Sequence, residues 1–290
     1  GSSSGRTDWL ASGDLASVAV PPTIQALLSA RLDRLEPSER AVVERASIEG
    51  KVFHRGAVAE LAPTEVRNDV GSHLQSLVRK ELLRPDQAAF VGDDAFRFRH
   101  LLIRDAAYEA MPKELRAELH ERFTSWLERV AGDRVLEYEE ILGFHLEQSY
   151  RYRLELAPPD DAARNVGARA AERLGSAGER ALSRSDISAA VSLLDRALDL
   201  LPRESRPPKL LCDLGLALSE RGEFARAEAV LSDAAAAAEA QDEQALAAIA
   251  TMRSNWLGLS AGDGLMEETK AHIEEKARTL DALGDENGLA

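Results

Sequence analysis

The sequence predicts a mainly α-helical chain, in which a module of helices closed by a small β-wing precedes a superhelix of paired helices. Three observations carry that prediction. Apolar residues recur at helical spacing along most of the 290 residues. Residues 81–99 switch to the two-residue period of a half-buried strand. Beyond residue 160 the same residue types return at a fixed offset of 37. Ala and Leu, abundant above all in that later part, favour closely packed helices over sheets, and aromatics make up only 5% of the chain.

Residues 1–20 show no sustained period and read as a linker or a partial element. Pro21-Pro22-Thr23 opens the first helix, where the missing proline N–H would be unpaired in any case. Ile24, Leu27, Leu28, Leu32 and Leu35 follow at helical spacing. Pro37-Ser38 starts a second helix that turns Val42, Val43 and Ala46 inward and ends near Gly50. Val52-Phe53 is a short extended piece, and a brief helix over 56–61 stops at Pro63. One helix over 64–80 comes next, with Thr64 as its N-cap and Val66, Val70, Leu74, Leu77 and Val78 as its apolar stripe. Leu82-Leu83-Arg84 reads as a strand, residues 90–94 as a turn, and Phe96-Arg97-Phe98-Arg99, alternating apolar and charged, as its partner.

Three helices and then a two-stranded wing is the order of a winged-helix module, here residues 21–131 with its leading helices. Helical spacing returns from His100 through Leu101, Leu102, Ala106, Ala107 and Tyr108, then Leu115, Leu119, Phe123, Trp126 and Leu127. Residues 132–162 form a connecting segment with a helix over 135–152, and Pro158-Pro159 marks a break.

Residues 163–290 are helix pairs. Leu174 and Leu211, Gly178 and Gly215, Ala190 and Ala227, Leu194 and Leu231, and Ala197 and Ala234 all lie 37 residues apart. Small residues at such positions let antiparallel helices approach, and large ones fill the space between them. The pattern is that of a tetratricopeptide-like repeat, with the residues beyond the usual period of about 34 placed in the loop at 203–208. A third, degenerate pair covers about 243–260 and 265–283. No polar capping repeat follows, so the array is expected to be incomplete.

Charge narrows the function classes. Lys and Arg number 36 against 50 Asp and Glu, for a net charge of −14. Residues 21–130 hold 17 basic and 18 acidic side chains, so nearly all of the excess falls elsewhere. An acidic chain lacks the basic footprint of a general nucleic-acid binder and favours basic partners. One cysteine, Cys212, excludes a disulfide within the chain and a Cys-based zinc site. No apolar run approaches the roughly 18 residues of a membrane span, and no secretion signal is present. A cytoplasmic protein without a membrane partner is expected. Residues 1–5, Gly-Ser-Ser-Ser-Gly, read as a linker or a cloning remnant, and the chain as a piece of a longer protein.

The winged module and the repeats together resemble the C-terminal half of bacterial STAND-class ATPases, the signal-transduction ATPases with numerous domains. Within that class the likeness is to predicted ATPases fused to class III adenylate or guanylate cyclases or to LuxR-type regulators. It is carried by Val20-Pro21-Pro22-Thr23-Ile24-Gln25-Ala26-Leu27-Leu28, Ala30-Arg31-Leu32-Asp33-Arg34-Leu35, Glu39-Arg40, Ala46-Ser47-Ile48-Glu49-Gly50-Lys51-Val52-Phe53 and Phe96-Arg97-Phe98-Arg99-His100-Leu101-Leu102-Ile103-Arg104-Asp105-Ala106-Ala107-Tyr108, with Arg116 and His120 beyond. The specific match covers about residues 20–155, and the repeats match only generically. The resemblance implies a winged helix that closes over ADP held by an upstream domain, with His100 sensing the diphosphate. It implies ATP or ADP with magnesium for the longer protein, and signal-dependent self-association there. The chain itself has no Gly-x-x-x-x-Gly-Lys-Ser/Thr loop, so no cofactor and no enzymatic activity are expected of this part alone.

His100, Arg99 and Arg104 are therefore the candidate nucleotide-sensing residues. The alternatives are a histidine that caps backbone groups at a strand–helix junction and arginines that pair with carboxylates such as Asp105. His54, His73, His120, His145 and His272 are scattered, and no two form the i, i+4 pair with Glu of a helical zinc site. Cys212, among Leu210, Leu211 and Leu214, reads as a small buried hydrophobe. The Gly-x-Ser-x-Gly match centred on Ser3 has no strand before it and is linker composition. No catalytic constellation is present. The helix over 64–80 offsets Arg67, Arg79 and Lys80 with Glu65 and Asp69, too small a surplus for phosphate contacts. The repeats offer a concave surface for a protein or peptide ligand. A stand-alone interaction scaffold and a DNA-binding regulator are the competing functions.

Overall fold

A computed structural model describes residues 27, 28, 30–261 and 278. Expectations for residues 1–26, Ser3 among them, for His272 and for the helix over 265–283 (Arg278 apart) lie outside the described residues. The fold is mainly α-helical with one small antiparallel sheet. The chain divides into two compact units, one ending at Val166 and the other beginning at Gly167, so the 132–162 segment falls in the first. No helix among the described residues is long and apolar enough to cross a membrane.

In the first unit, helix α1 (Pro37–Glu49) starts on a proline, and the Glu36 N–H donates to Glu39 Oε2 at 3.2 Å. Val42, Val43 and Ala46 are fully buried, as their spacing predicts. The helix stops where Gly50 takes φ 139°, a conformation that disfavours any side chain. Strand β1 (Val52–His54) and the short helix α2 (Arg55–Leu61) follow.

The single helix expected over 64–80 is two, α3 (Thr64–Arg67) and α4 (Val70–Arg79). Thr64 lies in the first turn, and Pro63 holds the cap position assigned to it. The break falls at Asn68-Asp69, residue types that favour local bonds over a continuous helix. Re-aiming α4 there leaves Val70, Leu74 and Leu77 at most 1% exposed.

Strands β2 (Leu83–Asp86) and β3 (Ala95–Phe98) form the expected hairpin. The sheet has three strands rather than two, in the order β1-β3-β2, because the extended Val52-Phe53 piece also pairs with β3. Phe53 faces Phe96, Leu83 faces Phe98 and Arg84 faces Arg97 across the ladders. Phe53, Leu83 and Phe98 turn into the core with Leu74, Leu77 and Ile103. Each such side chain contributes about 2 kcal/mol of burial.

Helices α5 (Leu101–Glu109) and α6 (Lys113–Ala131) follow the sheet. The helix expected over 135–152 is a 3-10 segment (Gly132–Tyr138) leading into α7 (Glu139–Leu156). Gly132, at φ 51°, ends α6, and Leu136 lies on the surface at 59% exposure. A second core gathers Leu61, Phe123, Trp126, Leu127 and Leu142.

Helix α8 (Asp161–Ser183) contains the division between the units. The second unit continues with α9 (Ile187–Asp199), a 3-10 turn (Arg203–Ser205) in the lengthened loop, α10 (Pro208–Glu220), α11 (Phe224–Ala240) and α12 (Gln244–Ala261). The 37-residue offset is physical. A Cβ on Gly178 would lie 2.7 Å from Leu194 Cγ, and one on Gly215 would lie 2.6 Å from Leu231 Cγ. The turns repeat as well. The N–H groups of Ser185 and Asp186 donate to the carbonyls of Leu182 and Ala181, both at 2.9 Å. Those of Gly222 and Glu223 donate to Ser219 and Leu218 at 3.0 and 2.9 Å. Ser185 (φ 58°) and Gly222 (φ 83°) occupy the same left-handed position of this helix-ending motif.

Candidate functional site

His100 sits at the junction of wing and helix. The Arg99 N–H donates to the Leu82 carbonyl at 3.0 Å and extends the β2–β3 ladder by one rung. His100 remains extended (φ −134°, ψ 134°), and its carbonyl accepts from the Ile103 N–H at 3.0 Å, so its backbone opens α5. Its imidazole makes no capping bond and is exposed. The capping role considered from sequence is therefore played by the backbone and not by the ring.

The three residues grouped from sequence do not converge. Arg99 is exposed and lies 3.7 Å from Glu81, a loose pair. Arg104, one turn into α5, is turned inward with 20% of its side chain exposed and forms an ion pair with Asp105 Oδ1 at 2.5 Å. Its Nε is buried without a hydrogen-bond partner. Arg104 thus lines a cavity of about 190 Å³ with Ser47, Tyr108, Phe144, Gln148 and Tyr152, to which neither His100 nor Arg99 contributes.

That cavity borders a polar chain with no counterpart in the sequence reading. Arg116 donates to Tyr152 Oη at 3.3 Å, Tyr152 and Tyr108 hydroxyls lie 2.9 Å apart, and Tyr108 Oη is 2.7 Å from His120 Nε2. His120 Nδ1 in turn is 2.7 Å from His145 Nδ1. Arg116 can only donate. The arrangement that uses every hydroxyl hydrogen of the chain therefore runs from Arg116 through Tyr152 and Tyr108 to His120 Nε2. His120 then carries its proton on Nδ1 and gives it to His145 Nδ1, leaving His145 protonated on Nε2. Burial, and then the Arg116 cation, pull His120 down to about 3. Burial, and then His120, hold His145 well below the ordinary imidazole range. Both rings are neutral at pH 7. They sit 25 residues apart on α6 and α7, and no spacing rule joins them.

His54 is also buried, with Nδ1 2.6 Å from Glu49 Oε1. The His54 N–H donates to the other carboxylate oxygen at 2.8 Å, and Ala89 N–H donates to His54 Nε2 at 3.1 Å. The imidazole thereby ties the wing loop to the end of α1. Burial pushes the Glu49 carboxyl up. No group of three or more His, Cys, Asp or Glu side chains that could hold a metal occurs among the described residues. Cys212 is buried, and burial pushes its thiol up to about 11, which leaves it inert at neutral pH.

The face a winged helix offers to DNA is poor in free cations. Lys80 is bound to both oxygens of Glu39, at 2.7 and 2.6 Å. The groove between α4 and the wing is lined by Gln75 and Arg79 together with Asp86, Asp93 and Asp94. Compared with models of known protein families and with curated protein sequences, the chain matches none.

Proposed function

We propose that the chain is the regulatory and sensor half of a multidomain signal-transduction ATPase. Its winged helix closes on the ADP state of an upstream nucleotide-binding domain, and its helical repeats receive a signal or a partner protein. The observation that carries the reading is the His100 imidazole, exposed at the end of the wing with no capping bond of its own. An imidazole so placed can donate to a phosphate oxygen presented from outside the chain. In this reading, ATP or ADP with magnesium belongs to that upstream domain. The resemblance of residues 20–155 to STAND-class ATPases supports the same assignment. A signal on the repeats would release the closed form only to the extent that it binds the open form more tightly.

Two measurements test the reading. The reading frame upstream of residue 1 is expected to encode a phosphate-binding loop, and a frame without one removes the proposal. In the longer protein, His100→Leu is expected to shorten ADP retention at least 10-fold, since a lost charge-assisted bond is worth about 1.5–3 kcal/mol. Unchanged retention reduces His100 to a structural residue. A scaffold role for the repeats alone is the second reading, favoured by the close Gly178–Leu194 and Gly215–Leu231 packing, which recurs from one helix pair to the next.

A further inference from the structure

We propose that the outer face of the small sheet is an oxyanion-binding strip, in which Arg84 and Arg99, flanking Arg97, hold the phosphates of an oligophosphate ligand. The choice of an oligophosphate rests on the nucleotide reading above; the strip itself rests on the sheet.

Arg84 on β2 stands directly opposite Arg97 on β3. Like charges directly opposed across antiparallel strands are destabilising, and sheets built for stability pair them with acids. One acid serves this pair. Asp86 is bonded to Arg97 Nε, and Arg84 acts on Asp86 only through its charge. Arg84 is exposed and has no ion pair among the described residues. Arg99 follows β3 directly and, two residues beyond Arg97, continues the alternation that sets Arg97 on this face; its only acid among the described residues is Glu81 at 3.7 Å.

Arg84 and Arg99 are thus diagonal neighbours, about 7–8 Å apart at the backbone. The strip carries three guanidinium groups against two carboxylates, and one of those carboxylates is committed to the central arginine. A lone carboxylate ligand would engage a single guanidinium. Two linked phosphates present oxygens to both outer arginines at once, each in the forked geometry that arginine favours. A bound polyanion also relieves the Arg84–Arg97 repulsion, which is the physical reason for leaving that repulsion in the sheet.

Inorganic pyrophosphate, titrated into the 290-residue chain at low ionic strength, tests the strip. Chemical shifts of the Arg84, Arg97 and Arg99 side chains are the readout, with citrate and orthophosphate as comparison arms. Saturable shifts with pyrophosphate near about 1 mM are expected, and at least about 10-fold weaker binding for orthophosphate and citrate. Arg84→Glu is expected to weaken pyrophosphate at least about 10-fold while raising Tm by about 2 °C, because it replaces a repulsive cross-strand pair with an attractive one. Arg129→Gln, on another face, leaves both unchanged. No shift with pyrophosphate, or Arg84→Glu without effect on its binding, overturns the strip. A lower Tm in Arg84→Glu would mean that Arg84 supports the fold. Arg84→Gln then decides, and intact pyrophosphate binding in that variant also overturns the strip. Equal binding of citrate overturns the phosphate assignment. If the strip fails while His100→Leu still loses ADP, the nucleotide reading stands without it.

Discussion

Two imidazoles, His120 and His145, are held neutral in the same buried chain of hydrogen bonds, and each has a cost in acid. In the unfolded chain both titrate near the ordinary imidazole value of about 6.5, whereas folded His120 does so at about 3 and His145 also lies well below. As pH falls below 6.5 the unfolded chain therefore binds protons that the folded chain refuses. Stability is lost at up to about 1.4 kcal/mol per pH unit for each ring. His54 works in the opposite sense: burial lowers it, but the bond and charge of Glu49 outweigh that and raise it, so its contribution is present below 6.5 and fades as pH rises through its folded value. The test therefore compares two chains. Between pH 7.5 and 5.5, the urea midpoint of the native chain is expected to fall more steeply than that of His145→Gln. Parallel slopes would show that the pair does not stay neutral. The proton order gives a second expected outcome. Nitrogen chemical shifts should report His120 protonated on Nδ1 and His145 on Nε2, and the reverse pattern would reverse the direction of the chain.

Helix-ending turns carry the next prediction. Ser185 holds φ 58° in the position that Gly222 fills one repeat later. A non-glycine residue there pays about 1 kcal/mol. Ser185→Gly is expected to raise Tm of the chain by about 2–4 °C. Gly178→Ala acts the other way, since the added methyl would sit 2.7 Å from Leu194 Cγ. A loss of about 1–3 kcal/mol is expected, largely recovered when Leu194 is also shortened to Ala or Val. A Gly178→Ala chain as stable as the parent would mean that the two helices have room to separate. The repeat was legible in the sequence because its packing and its residue types share one period. The broken helix at Asn68-Asp69 and the 3-10 segment from Gly132 were not, since there a tertiary demand overrides a helical apolar spacing that continues past the break. Val70 and Leu74 must reach the core, and that is a property of the neighbouring helices rather than of the local sequence.

For the whole chain, the uneven charge sets what it can meet. Of the net charge of −14, residues 21–130 contribute almost nothing. The wing and α4 carry mixed charge, with Lys80 held by Glu39, Asp86 by Arg97 and Asp94 by Arg55. A 30-base-pair duplex in a gel at about 20 mM salt is expected to show no retardation by micromolar chain, where a duplex-binding surface would bind most strongly and a strip with millimolar affinity for pyrophosphate would not. Retardation that fades with salt would restore the DNA-regulator reading. Of the candidate site, the sequence could place Arg99 and His100 at the end of a strand, because alternation and a returning helical period locate that junction. It could not tell that Arg104 turns inward towards Tyr108, nor that His120 meets His145 across two helices. Those meetings depend on how helices dock, which no local pattern encodes.

The matched turns at Ser185 and Gly222 also bear on how such an array changes length. The donors and acceptors of the two turns coincide after a shift of one repeat, and each is followed by an acid, Asp186 or Glu223, that opens the next helix. A chain lacking residues 186–222 would join Ser185 to Glu223 and find the same turn, followed by a helix that begins in the same way. Unequal recombination between neighbouring repeats would therefore splice like onto like. The array can gain or lose a rung in one genetic step, and its reach can evolve faster than its fold.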